Sequence, residues 1–227
     1  MLAKKYKSVV KSISNPFQGI YTLEFASLGR PYKYLPGQFL HLAIDSEYDG
    51  AGQWPESRCF SMQSNPDEET IRITYSVKGD FTRQMELLLK EDSEVWLKLP
   101  YGDLFEQHHD KNKTVFIAGG TGVTPFLSLF THTSFSEYLH PHIYLGFRSE
   151  AYNIYQDELN NSCNSSKYVQ FIYENEVGKI DINCIFAENG ATASYFISGP
   201  PAMIKNFKSF LMVNGVNEDN VLTDDWQ

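Results

Sequence analysis

Glycine and threonine are concentrated between a short apolar stretch and a proline near the middle of the chain. Residues 115–118 read as a buried strand, and Pro125 fits the first turn of a helix, where its missing N–H would have no partner. In the turn between them, residues 119–124, backbone amides can approach an anion and the helix dipole favours negative charge. The segment therefore indicates a phosphate or pyrophosphate site. It matches neither G-x-G-x-x-G nor G-x-x-x-x-G-K-[ST], and it would also serve an ordinary strand–helix turn.

Composition limits the class of protein. The chain has 227 residues and a net charge of −9, which argues against nucleic-acid binding, where a basic surface is expected. Its three cysteines are far apart and odd in number, which excludes a closed disulfide framework, and no pair has metal-ligand spacing. The N-terminus lacks the apolar core of a signal peptide, and no segment is apolar enough to span a bilayer. We therefore expect a soluble, cytoplasmic protein without a metal site, a nucleic-acid partner or a membrane partner.

Two different apolar patterns divide the chain. Short alternating stretches in the first half, separated by turn residues, predict about six strands and one helix, which suggests a small antiparallel barrel. In the second half, strands near 115, 142–146, 168–173 and 194–197 alternate with helical stretches, which implies a parallel sheet. The composition changes at the charged residues 106–113. We predict a six-stranded antiparallel β-barrel domain over 1–108 and a five-stranded parallel α/β domain over 109–227.

A barrel followed by a nucleotide-type domain directs attention to residues in the barrel that suit a flavin. Strand alternation places Arg58 and Phe60 on one face and Cys59 and Ser61 on the other. An arginine can hold a pyrophosphate bidentately, an aromatic ring can pack on a ring or ribose, and a hydroxyl can bond the flavin edge. Thr82, an N-cap residue type, predicts a helix start that also suits phosphate. The alternative is a surface charge at Arg58 and a core ring at Phe60.

These segments resemble the ferredoxin–NADP reductase superfamily of two-domain flavoenzymes, almost from end to end and in the family's order and spacing. Arg58-Cys59-Phe60-Ser61 is similar to the family's Arg-x-Tyr-Ser/Thr flavin motif, and residues 75–82 resemble its second flavin segment. In the second half, Gly119-Gly120-Thr121-Gly122-x-x-Pro125 is similar to the family's nicotinamide-nucleotide motif, and Gly146-x-Arg148 is similar to its segment near the adenosine. Ser198-Gly199-Pro200-Pro201-x-Met203 resembles a Cys-Gly-Pro-Pro-x-Met motif. Residues 221–226 resemble the C-terminal strand that carries an acid and an aromatic.

The resemblance implies a flavin-dependent NAD(P)H oxidoreductase with bound FAD. Hydride would pass from the nicotinamide to flavin N5, and electrons would then go to a separate acceptor such as a ferredoxin or an oxygenase component. Ser61, Ser198 and Asp224 are the implied catalytic residues. The implied cofactor-binding residues are Arg58, Cys59, Phe60, Ser61, Tyr75, Ser76, Val77, Lys78, Gly79, Asp80, Phe81, Thr82, Gly120, Thr121, Gly122, Pro125, Arg148, Gly199, Pro200, Met203 and Trp226.

Three departures from the family pattern affect this interpretation. Phe60 replaces a tyrosine, which removes one hydrogen bond to the cofactor, and Ser198 replaces the cysteine beside the nicotinamide. The chain also has no C-x₄-C-x₂-C spacing, so we expect no plant-type ferredoxin domain of its own.

Two other functions remain open. One is a flavin reductase that uses free flavin as a substrate, and the other is a non-catalytic relative that binds a nucleotide.

The expected nucleotide is NADH, with NADPH as the alternative. After the second strand of the nucleotide domain stands Arg148, and after the third stand Glu174 and Glu176. Two carboxylates would repel a 2′-phosphate, whereas carboxylates can accept hydrogen bonds from a free ribose hydroxyl. Arg148 could still bind the 2′-phosphate of NADPH if the glutamates point to solvent, and Lys179 lies only a few residues further on.

Overall fold

The computed structural model describes residues 2–162 and 169–224, and the chain divides into two compact units, 1–103 and 104–227. This division falls before the boundary expected after residue 108. Leu104 is buried in the core of the second unit and Phe105 packs against that core, so both side chains belong there. The charged stretch 106–113 that suggested the boundary therefore lies inside the second unit.

The first unit is built from six strands and one helix. They are β1 (Lys4–Phe17), β2 (Ile20–Ser27), β3 (Phe39–Ala43), β4 (Arg58–Ser61), β5 (Thr70–Ser76), α1 (Asp80–Leu88) and β6 (Glu94–Tyr101). The strands are antiparallel, in the order β4-β3-β6-β1-β2-β5. Just after β4, the amide of Gln63 donates to the carbonyl of Arg72 in β5 at 2.8 Å, which nearly closes the sheet. The predicted six-stranded barrel is confirmed.

Alternation along the strands fills the inside of this barrel. Ile71, Ile73 and Tyr75 of β5 are buried together in one apolar cluster, while Arg72 between them is only partly buried. The helix α1 adds Phe81 and Met85 to the same cluster. The strand end at Tyr75 and the helix start at Phe81 are thus held by one core, which fixes the loop between them.

The second unit alternates strands and helices. Its elements are β7 (Thr114–Gly119), α2 (Thr124–Phe130), β8 (His142–Phe147), α3 (Gln156–Ser162), β9 (Val169–Tyr173), α4 (Glu174–Val177), α5 (Ile182–Asn189), β10 (Ser194–Ser198), α6 (Pro201–Val213) and β11 (Val221–Thr223). All strand pairs are parallel, in the order β11-β10-β7-β8-β9. The predicted five-stranded parallel sheet is confirmed, although the expected start of its third strand, Tyr168, lies outside the described residues.

The strand order places a topological switch point between β7 and β10. From β7 the chain moves outward through β8 and β9, then returns to the other side of β7 with β10 and β11. In open parallel sheets, ligands bind where the strand order reverses, beyond the carboxyl ends of the strands. The loops that follow β7 and β10 are therefore the expected binding loops of this unit. Among the described helices, none has both the length and the apolarity needed to cross a bilayer.

Candidate functional site

Arg58 brings the two predicted flavin segments of the first unit together. It lies at the start of the short strand β4, and its guanidinium carbon lies over the ring of Phe81, 5.1 Å from the ring centroid. Phe81 belongs to the segment 75–82, which is distant in sequence. The contact with this buried ring restricts the position of an exposed guanidinium, a group whose remaining N–H donors suit an anion.

Phe60 and Tyr75 form a second contact between the same two segments. Their ring centroids are 5.8 Å apart, and Tyr75 also stacks on Tyr21 at 5.6 Å. Tyr75 is only 4% exposed, and burial raises the pKa of its phenol, so the hydroxyl stays protonated. Within the described part of the chain, nothing hydrogen-bonds this hydroxyl.

The start of α1 differs from the sequence prediction. Gly79, not Thr82, is the N-cap residue, and Thr82 stands three positions later, inside the first turn. The Thr82 hydroxyl accepts from the amides of Lys78 and Gly79 at 2.9 and 3.1 Å and donates to the Gly79 carbonyl. Asp80 adds a carboxylate at this end and pairs with Arg83. The prediction was wrong because a threonine can serve this turn from its third position as well as from the cap.

The opposite face of β4 carries Cys59 and Ser61, as alternation predicts. The Cys59 sulfur lies 3.5 Å from Nε2 of His41, and Ser61 pairs across the ladder with Phe39. Burial raises the pKa of the Cys59 thiol and lowers the pKa of His41. The two groups are therefore a neutral thiol and a neutral imidazole at pH 7, rather than a reactive thiolate pair.

Glu56 is a residue that the sequence reasoning missed. Its Oε1 lies 2.9 Å from Nη2 of Arg58, and Nη1 of Arg58 donates to the Ser57 carbonyl at 2.8 Å. The spacing of two residues, which brings side chains of an extended chain to one side, was the available signal.

In the second unit, the glycine-rich turn follows β7 as predicted. Residues Gly120–Val123 form a 3-10 turn, and α2 then begins at Thr124 with Pro125 in its first turn. Gly120 has φ +56°, a conformation that side chains disfavour. The Thr124 hydroxyl donates to the Thr121 carbonyl at 3.0 Å. The turn is thus fixed by glycine conformation and by one local hydrogen bond.

The turn packs directly on the loop after β10. A Cβ added at Gly122 would lie 2.5 Å from the Cα and N atoms of Gly199. A Cβ at Gly199, whose φ is +145°, would lie 2.9 Å from Met203 and 3.0 Å from the amide nitrogen of Gly119. The predicted residues of both loops therefore form one backbone cradle, and its glycines are required by close approach as well as by turn geometry.

Ser198 and Asp224 lie together at the same end of the sheet. The Ser198 hydroxyl donates to Oδ2 of Asp224 at 3.1 Å, and the Asp224 amide donates to the Ile197 carbonyl at 3.0 Å. Ser198 is 1% exposed, so this hydrogen bond to Asp224 is made from a buried hydroxyl. Trp226, the predicted aromatic partner, lies outside the described residues.

The predicted adenosine side of the second unit contains charges of both signs. Arg148 follows β8, is exposed and lies 5.8 Å from the ring centroid of Tyr152. The Asn175 amide, in α4, donates to the Arg148 carbonyl at 3.1 Å, which joins the loops after β8 and β9. Lys179 is already 3.7 Å from a carboxylate oxygen of Glu174. The structure therefore brings Arg148 next to the turn that carries Glu174 and Glu176.

The chain is similar to known oxidoreductases, both in its second unit and over most of its length. Residues 116–209 match the family model of the oxidoreductase NAD-binding domain. Over 212 residues the chain is 27% identical to the reductase component of propane 2-monooxygenase from Mycolicibacterium smegmatis, covering 85% of this chain and 59% of that protein.

Two solved structures share the fold over nearly the whole chain. A ferredoxin NADP+ reductase from Neisseria gonorrhoeae with bound FAD and NADP has a TM-score of 0.76 at 17% identity, covering 98% of this chain and 97% of that one. A cytochrome P450 reductase from Amycolatopsis has a TM-score of 0.81 at 16% identity, covering 98% of this chain and 70% of that one. With its antiparallel barrel and its five-stranded parallel sheet, the chain has the two-domain fold of these structures, and its second unit matches the oxidoreductase NAD-binding domain.

Proposed function

We propose that this chain is an FAD-dependent NAD(P)H oxidoreductase that passes electrons to a separate acceptor. The observation that carries the proposal is the meeting of Arg58 and Phe60 with the segment 75–82 in the first unit. The relatives include reductase components of a monooxygenase and a dioxygenase system. Because the chain spans only 59% of the length of the first of these, its activity and partners are inferred from the site.

The residues of the first unit suit FAD. Arg58 offers a planar, exposed fork of donors for the pyrophosphate, and Phe60 offers a ring for stacking. Tyr75 packs against Phe60 and so ties that ring to the segment 75–82. When bound, FAD supplies the chemistry that the side chains lack, since it accepts a hydride and releases single electrons. Ser61 is the residue we assign to a hydrogen bond with the flavin edge.

The residues of the second unit suit a nicotinamide dinucleotide. The cradle of Gly119, Gly122 and Gly199 lets the nucleotide backbone approach the protein backbone closely. Thr121 and Pro125 shape the turn, and Pro200 and Met203 border the same loop. We assign Ser198 and Asp224 to orienting the nicotinamide ring, with the carboxylate held by the buried hydroxyl.

The proposed nucleotide is NADH. Glu174 and Glu176 lie on the turn directly after β9, and Lys179, the cation that favoured NADPH, is paired with Glu174. Of Arg148 and Lys179, Arg148 is then the one left to bind a 2′-phosphate. One arginine beside two carboxylates gives a weak phosphate site, whereas the carboxylates can accept hydrogen bonds from ribose hydroxyls.

The proposed acceptor is another molecule, either a protein such as a ferredoxin or oxygenase component, or a small-molecule oxidant. Purified protein should be titrated with FAD, and oxidation of NADH and NADPH should then be followed with an artificial one-electron acceptor. We expect FAD-dependent turnover with a higher kcat/KM for NADH. Saturation with free riboflavin as a consumed substrate would favour the flavin-reductase alternative. FAD binding without turnover would favour the non-catalytic alternative.

A further inference from the structure

The cationic end of the proposed flavin site carries its own counter-ion. Arg58 uses one guanidinium nitrogen for Glu56 and the other for the Ser57 carbonyl. The side chains of Arg58 and Glu56 are 52% and 67% exposed, so the pair is open to solvent and is not held by a core. Two donors of the arginine fork are thus occupied by groups of the protein itself.

Glu56 opposes any anion that binds Arg58. A phosphate group that takes the guanidinium bidentately must either displace the Glu56 carboxylate or share the cation with it. Displacement breaks the ion pair, and sharing places like charges within a few ångströms of each other, so both routes lower the affinity for the anion. The contact of Arg58 with Phe81 is separate from Glu56 and would hold the guanidinium in place after the carboxylate moves away.

We propose that Glu56 is an internal competitor for the phosphate groups of the flavin nucleotide and thereby sets how tightly the cofactor is retained. This inference rests on the proposed function, because it requires the pyrophosphate of FAD to bind at Arg58. Asp80 carries a charge of the same sign at the start of α1, but Arg83 already pairs with it. Glu56, by contrast, contacts Arg58, the residue proposed to bind the phosphate groups.

The expected effect is modest because the pair is exposed. Replacing Glu56 by Gln keeps the shape and removes the charge, so FAD affinity should rise about two- to fivefold, the range that exposed ion pairs contribute. The gain should shrink as salt is added, because ions screen both the pair and the repulsion. Riboflavin has no phosphate, so its affinity should not change.

A matched control is present in the same unit. Glu68 pairs with Arg72 at 3.5 Å and precedes β5, at the other end of that strand from the segment 75–82. Glu68→Gln changes the net charge by the same amount without touching Arg58. Dissociation constants of FAD and riboflavin should be measured on flavin-free wild type, Glu56→Gln and Glu68→Gln by quenching of flavin fluorescence, at low and high salt.

Tighter FAD binding in Glu56→Gln alone, with unchanged riboflavin binding, would support the proposal. Equal FAD affinities in the three proteins, or weaker binding in Glu56→Gln, would overturn it, and weaker binding would show that Glu56 orients Arg58 for the ligand. An equal gain for riboflavin would also overturn it. Wild type that binds no flavin at all would instead refute the proposed function, and the inference would fail with it.

Discussion

The two units of this chain differ in whether side chains or backbone form their proposed binding sites. In the first unit the contacts come from side chains, with Arg58 lying over the Phe81 ring and paired with Glu56. In the second unit they come from backbone, where Gly122 and Gly199 touch closely enough to exclude any side chain. The first site must exchange partners when a ligand arrives, whereas the second is already shaped.

This difference teaches where each half should be sensitive. A site made of exposed side chains can be adjusted by one charge at a time, and each change costs little stability. A site made of closely packed backbone tolerates almost no added volume, because interiors transmit strain instead of absorbing it. Variants of the first site should therefore lower ligand affinity at little cost in stability, whereas variants of the glycine cradle should lower both.

The largest effect is expected for Gly122→Ala. Its Cβ would lie 2.5 Å from Gly199 backbone atoms, so the two loops must separate, at a cost of about 3 kcal/mol of stability or more. Nucleotide binding to the second unit should fall with it. Calorimetric titration with NAD+ and thermal unfolding would measure both, with Gly29→Ala as the control because a Cβ there meets no atom within 4 Å. Wild-type values for Gly122→Ala would show that the cradle is not rigid.

The next effect is expected for Arg58→Ala, which should change ligand affinity and leave stability nearly unchanged. Losing a charged hydrogen bond to the pyrophosphate should weaken FAD binding by about 1.5–3 kcal/mol. Flavin fluorescence would give the FAD affinity, and NAD+ binding should match that of wild type. Unchanged FAD affinity would remove Arg58 from the site.

A smaller effect is expected for Ser198→Ala. The buried hydroxyl donates to Asp224, so its loss should cost about 1 kcal/mol of stability and should slow flavin reduction by removing one hydrogen bond that orients the carboxylate. Ser194→Ala is the matched control, because Ser194 is fully buried on the same strand and bonds Asn220 at its other end. Equal reduction rates in the two variants would make Ser198 structural only.

The smallest effect is a pH dependence in the second unit. Burial lowers the pKa of His109, whose Nδ1 donates to the Gln107 carbonyl and whose Nε2 accepts from Tyr138. Because the folded pKa lies below that of the unfolded chain, the unfolded state binds more protons between the two values. The stabilisation is complete above about pH 6.5 and is lost as the pH falls through the folded pKa. Urea unfolding of wild type and His109→Gln should show a steeper acid loss in wild type, and parallel curves would contradict this.

Sequence patterns predicted the elements of the chain better than their contacts. Apolar alternation gave the strands of the barrel, and the strand–turn–helix pattern around Pro125 gave the start of α2. The local signal failed at α1, because Thr82 bonds the start of the helix from its third position while Gly79 is the cap.

Contacts that depend on sheet order were beyond the sequence pattern. Gly122 and Gly199 are far apart in the chain and meet because β10 returns beside β7. The family resemblance marked both loops as functional, yet the reason for their glycines is visible only when the backbones are seen to touch. Glu56 was missed because the family motif starts at Arg58 and does not include the residues before it.

The most direct test of the account is anaerobic mixing of the FAD-loaded protein with NADH while the flavin absorbance is recorded. We expect the oxidised flavin bands to disappear in a single turnover, faster with NADH than with NADPH. The Arg58→Ala protein should need more added FAD to show the same signal. Bound FAD that keeps its oxidised spectrum with both nucleotides would contradict the proposal that the two units serve one electron-transfer reaction.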